Sequence, residues 1–228
     1  MPYIKPLPIE GCPIRFFYGT PQAKDWYDPL KLHTKLEFEW IARHIAGRKQ
    51  KIIDAGAYHG LYTLVLAKSS DRASRVVAVD AVPSNCALIE VNLALNGLRA
   101  EVEECAINDT DGHVNFSHAS CGRIISRGGT VRPARRLSSI MHDATIVKLD
   151  IEGAEFLVLP SEIDELSAAH TWIVEIHSIR DRDPQTILDA FRNRGFDLWW
   201  VNRDDGRVEP YPAGTPWTSR TSLIAVRS

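Results

Sequence analysis

Short apolar runs and helical periods alternate along most of this chain. Leu32, Leu36, Trp40, Ile41 and Ile45 fall mostly on one face of a stretch opened by Pro29, the spacing of an amphipathic helix. Lys51–Ala55 (KIIDA) and Arg75–Asp80 (RVVAVD) are apolar without alternation and predict buried strands, with a helix over Leu61–Lys68 between them. Pro83–Asn96 predicts a second such helix, with proline in its first turn and Gly97 just past its end. Glu101–Ile107 and His113–His118 predict a β-rich middle, hinged at an Asp111-Gly112 hairpin turn. Thr145–Ile151 (TIVKLDI) and Trp172–His177 (WIVEIH) predict two more buried strands. Asp183-Pro184 opens a helix that presents Ile187, Leu188 and Phe191 and stops at Gly195. Phe196–Val201 and Ser222–Val226 close the chain as two strands, joined by the turn-rich DDGR and a Pro-rich loop. The first thirty residues, rich in proline and aromatic side chains, read as a short hairpin or a lid. Strands that are apolar throughout belong in a mostly parallel sheet with helices on both faces. The closing pair, with no helix between, adds one antiparallel strand. The expected fold is an α/β sandwich.

Composition narrows this only a little. The 228 residues fit one domain, with residues 1–48 as an N-terminal helical or lid segment and 49–228 as the core. Lys and Arg number 27 against 29 Asp and Glu, so bulk charge points neither towards nucleic acid nor away from it. Cys12, Cys86, Cys105 and Cys121 form no CxxC pair and have no histidine at zinc-finger spacing, which predicts free thiols and no structural zinc. The Pro-broken start with Glu10 does not read as a signal peptide, and no apolar run approaches the roughly 18 residues of a membrane span. A cytoplasmic protein without a membrane partner is expected.

In a sheet of this kind a ligand sits at the carboxyl ends of the strands. The first strand runs into Asp54-Ala55-Gly56-Ala57-Tyr58-His59-Gly60, where Gly56 and Gly60 permit a tight turn and the next helix offers free N–H groups. The pattern lacks the first glycine of the dinucleotide GxGxxG, which disfavours a nicotinamide dehydrogenase. An amino-acid moiety with its ammonium and carboxylate suits the loop better. The second strand ends in Asp80, 24 residues after Gly56, where an acid can accept hydrogen bonds from both hydroxyls of a ribose or cap the helix at Pro83. Asp150, Glu152 and Glu155 crowd a glycine at the next strand-to-helix turn.

Together KIIDAGAYHGLYT, VVAVDAVPSNCALIEVNLALNG and IVKLDIEGAEFLVL resemble the FkbM-type methyltransferases, from roughly Trp26 to the C-terminus. KxDxEGAE is the most specific of the three. The resemblance implies the class I, Rossmann-like methyltransferase sandwich, a mostly parallel seven-stranded sheet with an antiparallel final strand. It also implies S-adenosylmethionine as cofactor, with S-adenosylhomocysteine as product. Asp54, Gly56, Ala57 and Gly60 would then line its methionine end, Asp80 its ribose, and Cys105–Asn108, Ala106 among them, its adenine; Asp150 stands with these residues. Tyr58 replaces the family's usual Asn in the first loop, and Asp80-Ala81 its usual Glu-Pro.

Methyl transfer to a hydroxyl gains from a base near neutral pKa. Glu175 and His177 share a face if the strand alternates through them, which makes His177 the candidate base with Glu175 or Asp150 orienting it. The same Asp150, Glu175 and His177 also suit a divalent ion, although no metal ligand is assigned. His59 is a third acid–base candidate, or packs over the ligand. From His113 to His142 there is no acid, while Arg123, Arg127, Arg132, Arg135 and Arg136 all occur. Such a loop near the cleft fits an anionic acceptor or an RNA backbone, or else pairs with the acids between Asp150 and Glu165. Phe116 is its one aromatic for stacking bases, so nucleic acid is disfavoured as partner. The leading expectation is O-methylation of a small molecule, a sugar or a secondary metabolite. RNA or N-methylation, and a catalytically silent binding module, are the alternatives. The lids that would select the acceptor are the N-terminal aromatics Phe16, Phe17, Tyr18, Trp26 and Tyr27 and the loop Tyr211–Trp217.

Overall fold

The computed structural model describes residues 3–117, 119, 121–202, 205–217 and 222–227. An antiparallel hairpin, β1 (Tyr3–Leu7) with β2 (Ile14–Tyr18), leads into helices α1 (Pro21–Tyr27) and α2 (Leu32–Ile45). The Thr20 hydroxyl starts α1 by accepting the Ala23 N–H, one of the amides a helix start leaves open. Strand–helix alternation follows as β3 (Lys51–Ala55), α3 (Leu61–Ser69), β4 (Arg75–Asp80), α4 (Pro83–Asn96) and β5 (Glu101–Glu104). Gly97 ends α4 in the left-handed conformation, its N–H reaching the Leu93 and Ala94 carbonyls.

After β5 the chain leaves the main sheet. β6 (Ala106–Ile107), β7 (Gly112–Phe116), β8 (Ile124–Ile125) and β9 (Thr130–Arg135) form a second sheet in the order β6-β9-β7-β8. The expected hairpin at Asp111-Gly112 is therefore corrected: β6 pairs in parallel with β9, not with β7. Asp111 instead spends its carboxylate on the Arg136 N–H and the Ser139 hydroxyl, tying down the end of β9. His118, the last residue of the expected strand, lies outside the described residues, as does Asp204 of the later turn.

Short α5 (Leu137–Ile140) returns the chain to β10 (Ile146–Leu149), α6 (Glu155–Glu165), β11 (Thr171–Val174), α7 (Gln185–Arg192), β12 (Asp197–Asn202), β13 (Arg207–Pro210) and β14 (Leu223–Val226). Among the described residues the main sheet has eight strands, in the order β13-β12-β14-β11-β10-β3-β4-β5. The run from β5 to β11 is parallel, and β14 lies antiparallel between β11 and β12. The sheet is mixed and has eight strands where seven were expected: β14 is antiparallel as anticipated, and β13, antiparallel to β12, adds an edge. It ends in Pro210, which an edge strand accommodates without losing a ladder bond. Alternate residues serve two apolar layers: Ile53, Val79 and Trp172 face α6 and α7, while Ile52, Ala78 and Ile173 face α2, α3 and the N-terminal hairpin.

Candidate functional site

From β3 the chain builds outwards through β4 and β5, then crosses back to β10 and β11 on the other side. At that switch point a cleft of about 750 Å³ opens over the carboxyl ends of the strands. Gly56 leaves β3 at φ +77°, so close to the next strand that a Cβ would stand 1.7 Å from the Asp150 carbonyl oxygen. Only glycine fits both the conformation and the approach. The Gly56 and Ala57 N–H groups both donate to the Val79 carbonyl, which lays the loop across the end of β4. The Tyr58 N–H then donates to Asp80 Oδ2 at 2.8 Å.

Asp80 holds the start of α4 and still lines the cleft. Its Oδ1 accepts from the Val82 N–H at 2.9 Å and from Asn85 Nδ2 at 3.1 Å. Burial outweighs these donors and pushes its carboxyl up to about 6. Oδ2 has a lone pair to spare beyond the Tyr58 bond. Ala57, Tyr58, Ala81 and Ala106 line the same cleft, beside Cys105 and Ile107. Asp54 and Gly60 do not. Asp54 is buried one position back, accepting the Thr63 hydroxyl at 2.5 Å, with burial raising its carboxyl to about 6. Gly60 starts α3. His59 is stacked beneath Tyr58 with ring centroids 3.8 Å apart, and burial lowers it to about 4, so it is neutral at ordinary pH and away from the cleft.

Sequence reasoning gave Lys148 no role, and the structure makes it the hub of the acid cluster. It is fully buried on β10, its Nζ 4.6 Å from the Tyr62 ring centre and 3.7 Å from Asp150 Oδ2. Burial opposes its charge, but Asp150, Glu175, Glu37 and Asp54 together raise its pKa and keep the ammonium charged. Glu37 reaches in from α2 and accepts the hydroxyl of Tyr62, a cleft-lining residue, at 3.0 Å. Burial raises Glu37 and Glu175 as well. A lone lysine in an otherwise apolar strand was the available signal.

β11 ends at Val174, so Glu175 and His177 lie on the loop beyond it, not on an alternating strand. The partner of His177 is Glu155, whose Oε1 lies 3.0 Å from Nδ1 and also accepts the Ile151 N–H ahead of α6. His177 Nε2 stands 3.7 Å from Asp150 Oδ1 and 3.5 Å from Glu152 Oε2. Burial disfavours its charge, but the bond to Glu155 and the charges of Glu155, Asp150 and Glu152 prevail and push it up to about 9. In the protein alone His177 therefore holds its proton at neutral pH, unlike a free base. Asp150 and Glu152 line the cleft; Glu175 and His177 stand behind them.

The N-terminal hairpin is clamped to α4 by side chains that imitate a strand. Asn92 pairs with the Phe17 N–H and carbonyl, and Asn96 with those of Arg15. This brings Trp26 and Tyr27 to the cleft, Trp26 packing on Tyr58 at 5.1 Å, while Phe16 and Tyr18 are core. Tyr211 and Trp217 pack with Trp200 beside α7 and do not line the cleft. The arginine segment does reach it, through Cys121, Gly122 and Ile124. Arg136 pairs with Glu162 and Glu165 as the pairing reading anticipated, whereas Arg132 and Arg135 pair with Glu104 and Glu103 of β5.

A mostly parallel sheet closed by antiparallel strands, with a glycine loop at its switch point, is the α/β fold of solved methyltransferase structures. The chain is similar to a SAM-dependent methyltransferase from Agrobacterium tumefaciens, with TM-score 0.57 and 16% identity over 97% of this chain and 69% of that one. It is also similar to the T. thermophilus 16S rRNA N2 G1207 methyltransferase in complex with AdoMet and guanosine, with TM-score 0.53 and 13% identity over 100% of this chain. This chain spans 51% of that enzyme. No curated protein matches the sequence. Residues 54–198, more than half of the chain, match the methyltransferase FkbM domain. The protein belongs to the FkbM methyltransferase family.

Proposed function

We propose that the protein transfers the methyl group of its cofactor, S-adenosylmethionine, to a hydroxyl of a small molecule such as a sugar or a secondary metabolite. The observation that carries this reading is one cleft lined together by the glycine loop, Asp80 and Asp150. The cofactor supplies a methyl on a sulfonium, which needs chiefly an aligned nucleophile. Gly56, Ala57 and Tyr58 would hold its methionine end, the spare lone pair of Asp80 Oδ2 its ribose, and Ala81 with Ala106 its adenine side. An acceptor hydroxyl entering the cleft meets Asp150, with His177 and Glu175 behind to fix the local charge. Trp26 and Tyr27 narrow the mouth and limit water. Arg132, Arg135 and Arg136 are matched by the protein's own acids, so little of the arginine segment's charge is left for an RNA backbone. No helix among the described residues is long and apolar enough to cross a membrane.

Calorimetric titration with S-adenosylhomocysteine, with NAD as control, tests the cofactor assignment. Only the former is expected to bind. Asp80→Ala is expected to weaken that binding about 10- to 100-fold, the value of a charge-assisted hydrogen bond. Unchanged affinity would remove Asp80 from the ribose. Labelled methyl transfer to a panel of sugar and phenolic hydroxyls then tests the acceptor class, and transfer to amines alone would overturn it.

A further inference from the structure

We propose that Asp150, Glu152 and His177 bind a divalent cation of the Mg²⁺/Mn²⁺ class beside the cleft. Its binding stands on this geometry alone; its use, to seat an acceptor hydroxyl, rests on the O-methylation reading above. One ligand atom from each residue lies within 4.8 Å of the other two. The 3.5 and 3.7 Å gaps from His177 Nε2 to the two carboxylates exceed the ~2.7–3.2 Å of an N–H···O bond. A cation with bonds of roughly 2.1–2.4 Å sets neighbouring octahedral ligands about 3.0–3.4 Å apart, so the two histidine–carboxylate gaps close with a contraction of a few tenths of an ångström.

The imidazole is held as a metal ligand is held. Its Nδ1 is engaged by Glu155, and this leaves Nε2 facing Asp150 and Glu152, the carboxylate–histidine arrangement that fixes the tautomer and direction of a ligating ring. Glu155 is fully buried, and its second oxygen has no donor among the described residues. The local charge favours a cation as well, because the carboxylates of Asp150, Glu152 and Glu155 surround the one imidazole of His177. Two carboxylates that line the cleft and one imidazole behind them suit a hard or borderline divalent ion and not one that demands thiolates. A cation there would lower the pKa of a hydroxyl bound beside it.

The test is Mn²⁺ titration of the full chain followed by electron paramagnetic resonance, in the presence of S-adenosylhomocysteine. A single Mn²⁺ per chain is expected, displaced by Mg²⁺, with nitrogen hyperfine modulation that disappears in His177→Gln. Glu152→Gln, a change at a partly exposed side chain, is expected to weaken Mn²⁺ at least about tenfold. Absence of bound Mn²⁺ at millimolar concentration overturns the proposal, as does equal Mn²⁺ affinity in the wild type and Glu152→Gln. Because the titration needs no acceptor, failure to find a hydroxyl substrate would count against the O-methylation reading and leave this result standing.

Discussion

Gly56→Ala is expected to cost about 3–5 kcal/mol of stability and to abolish S-adenosylhomocysteine binding. A left-handed backbone costs an alanine roughly 1–2 kcal/mol, and overpacking typically about 1–3 kcal/mol more. The upper part of that range applies because the new methyl meets the Asp150 carbonyl at 1.7 Å, not the end of a flexible side chain. Asp150 cannot yield freely, because its N–H donates to the Ala55 carbonyl and holds this residue beside the strand that Gly56 leaves. The loop has to lift, and lifting it draws the Tyr58 N–H away from Asp80. Gly97→Ala is the control. Gly97 has a similar φ of +61° but nothing within 4 Å of its would-be Cβ, so roughly 1–2 kcal/mol is expected there. Urea midpoints of both variants, with calorimetric titration of the ligand, separate conformation from close approach. Equal losses would mean that the contact with β10 does not matter.

The parallel core was legible because its strands are buried on both faces and leave unbroken apolar runs; Lys51–Ala55 and Arg75–Asp80 form strands as read. β13 was hidden because Arg207–Pro210 is an edge strand whose one aliphatic residue, Val208, stands between Arg207 and Glu209, with no apolar run to reveal it. The Asp111-Gly112 turn misled for another reason. Local turn chemistry favours a hairpin, but β9, from twenty residues further on, takes the place beside β6. At the site, the acids ending the strands were readable from motif and position. The partner of His177 was not: strand alternation pointed to Glu175, whereas the strand stops at Val174 and the ring turns to Glu155 on α6. Trp26 and Tyr27 follow a hairpin that Asn92 and Asn96 pin to α4, a contact across some 75–81 residues of chain that no local pattern records.

Lys148→Met is expected to cost about 3–5 kcal/mol near pH 8, as removing one partner from a buried ionic cluster does, and much less near pH 5. Methionine keeps the length of the stem over Tyr62, so the change is chiefly one of charge. The pH dependence follows from the acids left behind. Asp54 is already raised to about 6 by burial, with Lys148 among the influences that restrain the rise; without that lysine its pKa climbs further. A carboxyl raised above its unfolded value of about 3.9 contributes fully below that pH and loses its contribution as pH rises through the folded value. The contribution is about 1.4 kcal/mol for every pH unit that separates the folded from the unfolded value. In the wild type the loss through Asp54 is complete soon above its folded value. In the variant it continues to higher pH, so the two stability curves nearly meet near pH 5 and part between about 6 and 8. Glu37, also raised by burial and also relieved by Lys148, acts in the same sense. Urea unfolding of both proteins across this range is the measurement. A gap that stays constant with pH would assign the cost to packing over Tyr62 and leave the carboxylates to be balanced by some other cation.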